Sequence, residues 1–588
     1  MDDINKWLNR VKEGEKLRDQ ADERYGYTRS LKEYRGLYSE VMPSFMKDTA
    51  VVPINEVYGY TKAFIPSVYS RDPYVAFNAK GYKSIASSKL LEAGVNAYWR
   101  ELRLKRQIRR CVFDAIFAEG WMKTGFSSTF GSIKPKEGQT PLEANEFVRN
   151  DEIFSTRVSW RHMVKDPDAV DGIHDARWVG QKIIRPLSAV VSSPLYTAKN
   201  IVATHVDNGD TQTSSDKKKG AESAGEEFIE FYEIWDMDSE EILWVSEGCA
   251  DEYMRESAPW PKECEGYPFD LLRFNDDSDE AYVPNLISSW EPQLWEKIKI
   301  RSMQLDHIKR FNRQLWAPEG SVSAEQAEKF SRGDTGAINF FQGATAPAPM
   351  PYPQIQTDIY AVENRIDMDK DNISGQPNVV RSAPQRTQTR TLGELQTMIS
   401  SFQFRQVDPK SEVEDFCGEI AIKVAAAMKA HLPGEKWAKV SQQDLPVLIK
   451  AFGVERWDGH RFMFTREDIK DAEYEVDVKV GSTLPLDPQG RTDALVNILK
   501  LGPTIGIGPN SKLAAVAGKS VINQFEMKEV EQAYDEDLAI RHRAEVVARA
   551  AMQAKQGMIE DKLATTRARV EAGGVPPPAA EEVSGGMQ

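Results

Sequence analysis

One stretch constrains this chain more than any other, a long amphipathic helix followed by an excursion that cannot form a core by itself. From Leu286 to Leu315 the apolar residues Leu286, Trp290, Leu294, Ile298, Leu305, Ile308, Phe311 and Leu315 recur at three-, four- and seven-residue spacings. They make one apolar helical face about thirty residues long. A loop running from Tyr267-Pro268-Phe269 to Glu280 leads into it. Pro318, Gly320, Gly333 and Gly336 punctuate the next segment, and a short strand reads Ala337-Ile338-Asn339-Phe340-Phe341. An arm then carries proline at every second position, Pro347, Pro349, Pro351 and Pro353. Proline has no amide donor, so this arm cannot be a central strand and is expected to stay extended. A second, shorter helix is predicted from Ile359 to Ile373. The loop from Ser374 to Thr391 holds Arg381, Arg386 and Arg390 and no acidic residue, a net charge of +3. A lone globular domain gains little from such an excursion, whereas many copies side by side in a ring would bury its flanks.

The order of these parts, with Tyr282-x-Pro284 entering the first helix and Ser374-Gly375 leaving the second, resembles the portal (head-to-tail connector) proteins of tailed bacteriophages. The likeness covers roughly residues 30 to 500 in element order. Other steps fit it: Arg71-Asp72-Pro73 before the strand Tyr74–Phe77, Asp166-Pro167 before Ala176-Arg177-Trp178, and Gly481-Ser482-x-Leu484-Pro485 before the helix Arg491–Leu501. The chain departs from the family pattern where Ser382 follows Arg381 and where two residues separate Thr391 from Glu394.

The fold class implied is α+β, a portal-like elongated subunit with a mixed wing domain, two-helix stem, small α/β clip, helical crown and long C-terminal helix. In these terms residues 1–40 are an N-terminal helical extension and 41–283 the first part of the wing. Stem helix 1 is 284–317, the clip 318–357, stem helix 2 358–373 and the tunnel loop 374–391. A long kinked helix and the second part of the wing take 392–484, the crown 485–525 and the C-terminal helix 526–572, leaving 573–588 as a disordered tail.

The resemblance also implies a function. Twelve copies would form a ring at one capsid vertex, and the terminase large subunit would drive double-stranded DNA through it without sequence specificity. A tail adaptor (head-completion protein), the major capsid protein and scaffolding proteins would be the other partners, in the virion and, during assembly, in the host cytoplasm. Arg381, Arg386 and Arg390 would face DNA. Phe340, Phe341, Pro347, Pro349, Pro351 and Pro353 would dock the terminase and then the tail adaptor. Leu294, Ile298, Leu305, Ile308 and Phe311 would form the subunit interface, because a fifteen-residue return helix cannot cover so long a face. The alternative from another class is a non-ring helical adaptor or scaffold, and a DNA-processing enzyme is a third.

Composition bears on this at two points. A chain of 588 residues can hold several cores. Its formal charge of −15 argues against ordinary tight DNA binding, in which basic patches neutralise phosphates. The distribution is uneven: Glu226–Glu280 holds nineteen Asp and Glu against three Lys and Arg, a net of −16 that matches the whole chain's excess. Basic clusters survive elsewhere. A single long helix is predicted over Ile85–Phe117, with Arg100, Arg103, Lys105, Arg106, Arg109 and Arg110 crowding its middle, and is read as a solvated or subunit-facing surface in preference to a nucleic-acid stripe.

Further along, 131–150 and 205–225 read as polar loops, and Phe228–Trp235 with Ile242–Val245 as a hairpin. Thr391-Leu392-Gly393-Glu394 makes a capping box, and Pro409 is expected to break or kink the helix around it. Tyr474–Val480 alternates like a half-buried strand, and Val521–Glu571 is helical, ended by Gly573-Gly574 and Pro576-Pro577-Pro578.

No chemistry emerges by spacing. Four scattered cysteines (Cys111, Cys249, Cys264, Cys417) make no disulfide framework, and the seven histidines lie apart. Neither Cys-x-x-Cys nor His-Glu-x-x-His occurs, so no metal site is expected. Asp276, Asp277, Asp279 and Glu280 are read as a solvated acidic loop. Ala517-Gly518-Lys519-Ser520 ends like a P-loop but has Leu513 where the first glycine belongs. No cofactor and no enzyme activity are expected. No run of about eighteen apolar residues exists to span a membrane. The segment Met1-Asp2-Asp3-Ile4 lacks a signal-peptide layout, so folding in the cytoplasm of the producing cell is expected.

Overall fold

A computed structural model describes residues 2–46, 51–70, 73–127, 152–193, 195–207, 226–261, 266–277, 279–311, 315–316, 325, 348–349, 358–376, 402, 404–432, 434–441 and 444–478. All of them belong to the first of two compact units, 1–485; the second, 486–588, lies outside the described residues. The described part is mixed α+β, about half helical, with several small antiparallel sheets.

The chain begins with helices α1 (Asp2–Tyr25) and α2 (Tyr27–Tyr34), then α3 (Glu56–Val68), which Asn55 caps by accepting the Tyr58 amide at 3.0 Å. Strand β1 (Val75–Ala79) leads to α4 (Ile85–Glu101) and α5 (Leu104–Phe117). The single helix expected over Ile85–Phe117 is therefore two. Arg103 breaks it in the left-handed region at φ 53°, which an L-residue with a Cβ adopts at a cost of about 1–2 kcal/mol. The break lets both pieces face one core, Leu90, Leu91 and Val95 from α4 and Ile108, Val112 and Ile116 from α5, all 0% exposed.

Next come β2 (Gly120–Ser127), β3 (Glu152–Val158), β4 (Met163–Lys165), β5 (Trp178–Pro186), the short α6 (Leu187–Ser192) and β6 (His205–Asp207). They are followed by β7 (Glu226–Asp236), β8 (Glu241–Val245), β9 (Arg255–Pro259) and β10 (Phe269–Leu272). The expected hairpin is present as β7–β8, with Trp235 opposite Ile242. Asp166 turns the chain between β4 and β5, its carboxylate taking the Asp168 amide at 3.3 Å and the Arg177 guanidinium at 2.8 Å.

Two sheets organise this half. One is six-stranded, in the order β4-β5-β7-β8-β9 with β6 also beside β7. Along β7 the alternation buries both faces: Ile229, Phe231 and Trp235 point to one core, Tyr232 and Ile234 to another. Ile4, Trp7, Leu8 and Val11 of α1 cover the second face, so residues 1–40 include a helix built into the body. The other sheet is three-stranded, β10-β2-β3. Its centre begins at Gly120, where an added Cβ would lie 2.4 Å from the Cys111 carbonyl oxygen, a position only glycine can hold.

The excursion contributes α7 (Glu291–Phe311), the short strands β11 (Leu315–Trp316) and β12 (Ala348–Pro349), and α8 (Asp358–Ser374). The remaining elements are α9 (Val407–His431), β13 (Lys436–Ala438), α10 (Leu445–Phe452), β14 (Phe462–Phe464), α11 (Arg466–Ile469) and β15 (Tyr474–Val478). Pro409 sits in the first turn of α9, where its missing amide has no helical partner to lose; the break falls at Gln406. Val413, Phe416, Ile420 and Val424 of α9 enter the largest core with α3, α4, α5 and the inner part of α7. β15 returns to pair with β1, Val478 opposite Val75.

The loop 131–150, the capping box 391–394, the helices expected at 491–501 and 521–571, the P-loop-like 517–520 and the tail from 573 lie outside the described residues.

Candidate functional site: the two-helix excursion and its root

The chain turns into the excursion through Asn285, only 2% exposed. Its side-chain oxygen accepts the amides of Ile287 at 2.9 Å and Ser288 at 2.7 Å, which holds Leu286–Trp290 in turns. The regular helix then starts at Glu291 with Pro292 in its first turn, five residues later than the apolar repeat alone indicates. At the far end it stops at Phe311, and Leu315 pairs with Pro349 in a two-stranded ladder. Both strands of such a ladder are edges, which is where a proline is tolerated.

The apolar face of α7 divides in two. Leu294 and Ile298 are fully buried and Trp295 is 3% exposed, all within the chain's own core. Expected at a subunit interface, Leu294 and Ile298 instead pack against the body that their own chain supplies. Coverage ends at Ser302, whose hydroxyl accepts the Val52 amide at 3.0 Å and donates to the Ile298 carbonyl at 2.7 Å. Beyond it Met303, Leu305 and Ile308 are 57%, 37% and 41% exposed. On α8, Ile366 is buried while Val362, Met368 and Ile373 are exposed.

Charge fixes the register of the two helices. Arg301 meets Glu363 at 2.8 Å and Lys297 meets Asp367 at 2.5 Å, so the chain directions are opposed. At the root Glu56 of α3 accepts from Lys297 at 2.8 Å and from Lys370, and Lys370 also reaches Asp367 at 2.8 Å. Two cations and two carboxylates thus tie α3, α7 and α8 together, with the Lys370 side chain 1% exposed. Burial alone would raise the Glu56 carboxyl, but Lys370 and Lys297 outweigh it and hold it below the usual range. Asp367 is held low by the same two lysines against its own burial. Lys297 goes the other way: burial opposes its charge, yet Glu56 and Asp367 raise its pKa.

A second polar feature sits beside the first turn of α7. The Trp295 indole donates to Glu33 of α2 at 2.9 Å, and Arg29 holds Glu291 at 2.5 Å. Burial, with Glu291 alongside, pushes the Glu33 carboxyl up to about 8. Gly375, at φ 67°, ends α8 in the left-handed conformation that closes a helix, its amide donating to the Asp371 carbonyl at 3.1 Å.

Sequence reading missed the root. Its signal is a basic pair four residues apart on one helix, Lys297 and Arg301, facing an acidic pair four apart on the other, Glu363 and Asp367. Of the other residues singled out, Pro349 lies in β12, Phe311 ends α7, and Arg381, Arg386, Arg390, Phe340, Phe341, Pro347, Pro351 and Pro353 lie outside the described residues. In the acidic loop Glu280 takes the Arg24 guanidinium at 2.7 Å and Asp277 accepts the Asp279 amide at 2.9 Å. No helix of the described residues is long and apolar enough to cross a membrane. No protein-family model matches the chain, and no curated protein compared with it shows significant sequence similarity.

Proposed function

We propose that this chain is the subunit of a portal ring, a channel at one capsid vertex through which a terminase packages double-stranded DNA and to which the tail is joined. One observation carries the reading: a helical hairpin locked to the body by a buried ion cluster presents a row of uncovered apolar side chains beyond Ser302. A rigid hairpin with an apolar flank is suited to packing against copies of itself, and a closed ring covers that flank on every copy. In this reading α7 and α8 are the stem, the segment between them the clip and Arg381, Arg386 and Arg390 line the channel. Their contacts to phosphates would be weak, screened within about 8 Å at physiological salt, which suits a conduit that must not hold its cargo. Terminase, tail adaptor, capsid and scaffolding proteins would bind successively at the clip and the rim. The protein would supply a passage and a valve, and no catalysis.

The test is direct. Purified full-length protein viewed by negative-stain electron microscopy, with mass photometry on the same sample, should give closed rings with a central hole. Monomers, or open helical assemblies without a hole, would refute the ring and favour an adaptor or scaffold.

A further inference from the structure

Five cations fall within eight residues here, Arg103 at the break before α5 and Lys105, Arg106, Arg109 and Arg110 in α5, which has no carboxylate before Asp114. Their three- and four-residue spacing brings Arg106, Arg109 and Arg110 to one side of the helix. Lys62 of α3 joins them around a pocket of about 270 Å³, walled also by Tyr34 and Phe113. All four cations are exposed, and none makes an ion pair among the described residues. The carboxylate nearest in sequence, Asp114, is taken by Arg157 at 2.5 Å. The wall is a packed aromatic group, with Tyr34 stacked on Tyr58 at 5.5 Å and edge-on to Phe113 at 5.1 Å.

Like charges at helical spacing destabilise a helix. This chain has 90 acidic residues against 75 basic ones, yet among the described residues no carboxylate lines the pocket. A concave site lined by one sign of charge concentrates the potential that an anion feels. The chain's net −15 is not what an anion at the pocket feels, because charges beyond about 8 Å are largely screened at physiological salt. The guanidinium fork binds phosphate or carboxylate bidentately while Lys62 adds a point charge. One feature favours phosphates over a carboxylate-bearing protein partner. The cations continue as a row, since Lys105 to Arg110 rises about 7.5 Å along α5, the span of roughly two phosphates on one strand of a duplex.

We infer that the α3–α5 pocket and the arginine row leading from it form a sequence-blind contact for the phosphate backbone of nucleic acid, made by residues other than Arg381, Arg386 and Arg390. The inference does not depend on ring closure.

The experiment measures binding of a fluorescent DNA duplex of arbitrary sequence to the full chain by anisotropy across a salt series. Parent protein is compared with the triple variant Arg106→Gln, Arg109→Gln, Arg110→Gln and with Lys62→Gln. Circular dichroism and mass photometry verify fold and assembly state. Each lost phosphate contact lowers the salt slope by about 0.9, so the triple variant should lose about 2 to 3 from the slope, and Lys62→Gln about 1. At low salt the triple variant should bind at least about tenfold more weakly. Parental affinity and slope in the triple variant would overturn the inference. So would displacement of the duplex by inorganic triphosphate at lower phosphate concentration than by unlabelled duplex, which would assign the pocket to a small ligand. Unchanged DNA binding with lost assembly would overturn it too, and make the row a contact between subunits.

Discussion

Glu119 and Lys165 make an ion pair where the two main cores meet, with side chains 5% and 1% exposed and 2.6 Å between them. The second oxygen of Glu119 accepts the Trp121 indole at 3.1 Å, and the Lys165 ammonium lies 4.2 Å from the centre of the Tyr282 ring, just before the excursion. At that separation the attraction is about 6 kcal/mol for an effective dielectric constant near 20. Desolvation costs several kcal/mol for each ion, so the intact pair is close to neutral against an apolar replacement, whereas removing one partner costs roughly 3–5 kcal/mol. Glu119→Gln and Lys165→Met should each lose about that much in urea unfolding followed by tryptophan fluorescence. The double variant should lose only about 1–3 kcal/mol, a coupling that neighbouring groups show and distant ones do not.

The pH trends of the two single variants differ in sign. Burial already lowers the Lys165 pKa, and removing Glu119 lowers it further. Between that value and the parental Lys165 value the folded variant has released a proton that the folded parent still holds, so the deficit of Glu119→Gln shrinks as pH rises through that window and is constant above it. In Lys165→Met the buried Glu119 has lost its cation and is raised. The folded chain then holds the extra proton, and the deficit grows as pH climbs past the ordinary glutamate value near 4.3. A loss below about 1 kcal/mol in either single variant, or the same pH trend in both, would refute this account of the pair.

Two further outcomes are expected. Leu305→Asp with Ile308→Asp should leave the unfolding midpoint of the monomer near the parental value, because both side chains are already over a third exposed, while mass photometry shows rings replaced by monomers; intact rings would remove these residues from the interface. Glu33→Gln should stabilise the protein increasingly as pH rises from about 4.5 to about 8: the raised Glu33 carboxyl binds a proton in the folded chain that the unfolded chain releases, so parental stability falls across that window. The glutamine carbonyl oxygen still accepts from Trp295, and a gain that did not vary with pH would count against this assignment.

Much of the fold was legible because it rests on short-range pattern. The β7–β8 hairpin shows as two apolar runs around Asp236–Glu241, and β15 as alternation from Tyr474. The features that escaped have no local mark. Arg103 breaks a helix with neither glycine nor proline, since the break serves two faces that only the folded core defines. Trp7 and Val11 look like one side of an exposed helix until a sheet some 160 residues later supplies Val164 and Trp178 to cover them. The root of the excursion needed Glu56, more than 240 residues before Lys297 in the chain, and no spacing rule reaches that far. The long apolar face was visible, but which half of it the body covers was not.

That division bears on how assembly and folding are related. Were the whole face from Leu294 to Ile308 an interface, each subunit would expose Leu294, Trp295 and Ile298 until its neighbours arrived, and folding would depend on assembly. Instead the inner residues complete the core, and the ion cluster of Glu56, Lys297, Asp367 and Lys370 sets the hairpin's direction before any partner is met. The exposed Met303, Leu305 and Ile308 all lie in the turns beyond Ser302, about 14 Å of helix at 1.5 Å per residue. In the proposed ring, a subunit built this way would fold alone and associate through a preformed edge, so little ordering entropy would oppose association. It also separates two kinds of substitution on one helix: charge at Ile298 should disrupt the monomer, and charge at Leu305, two turns further out, should disrupt only the proposed ring.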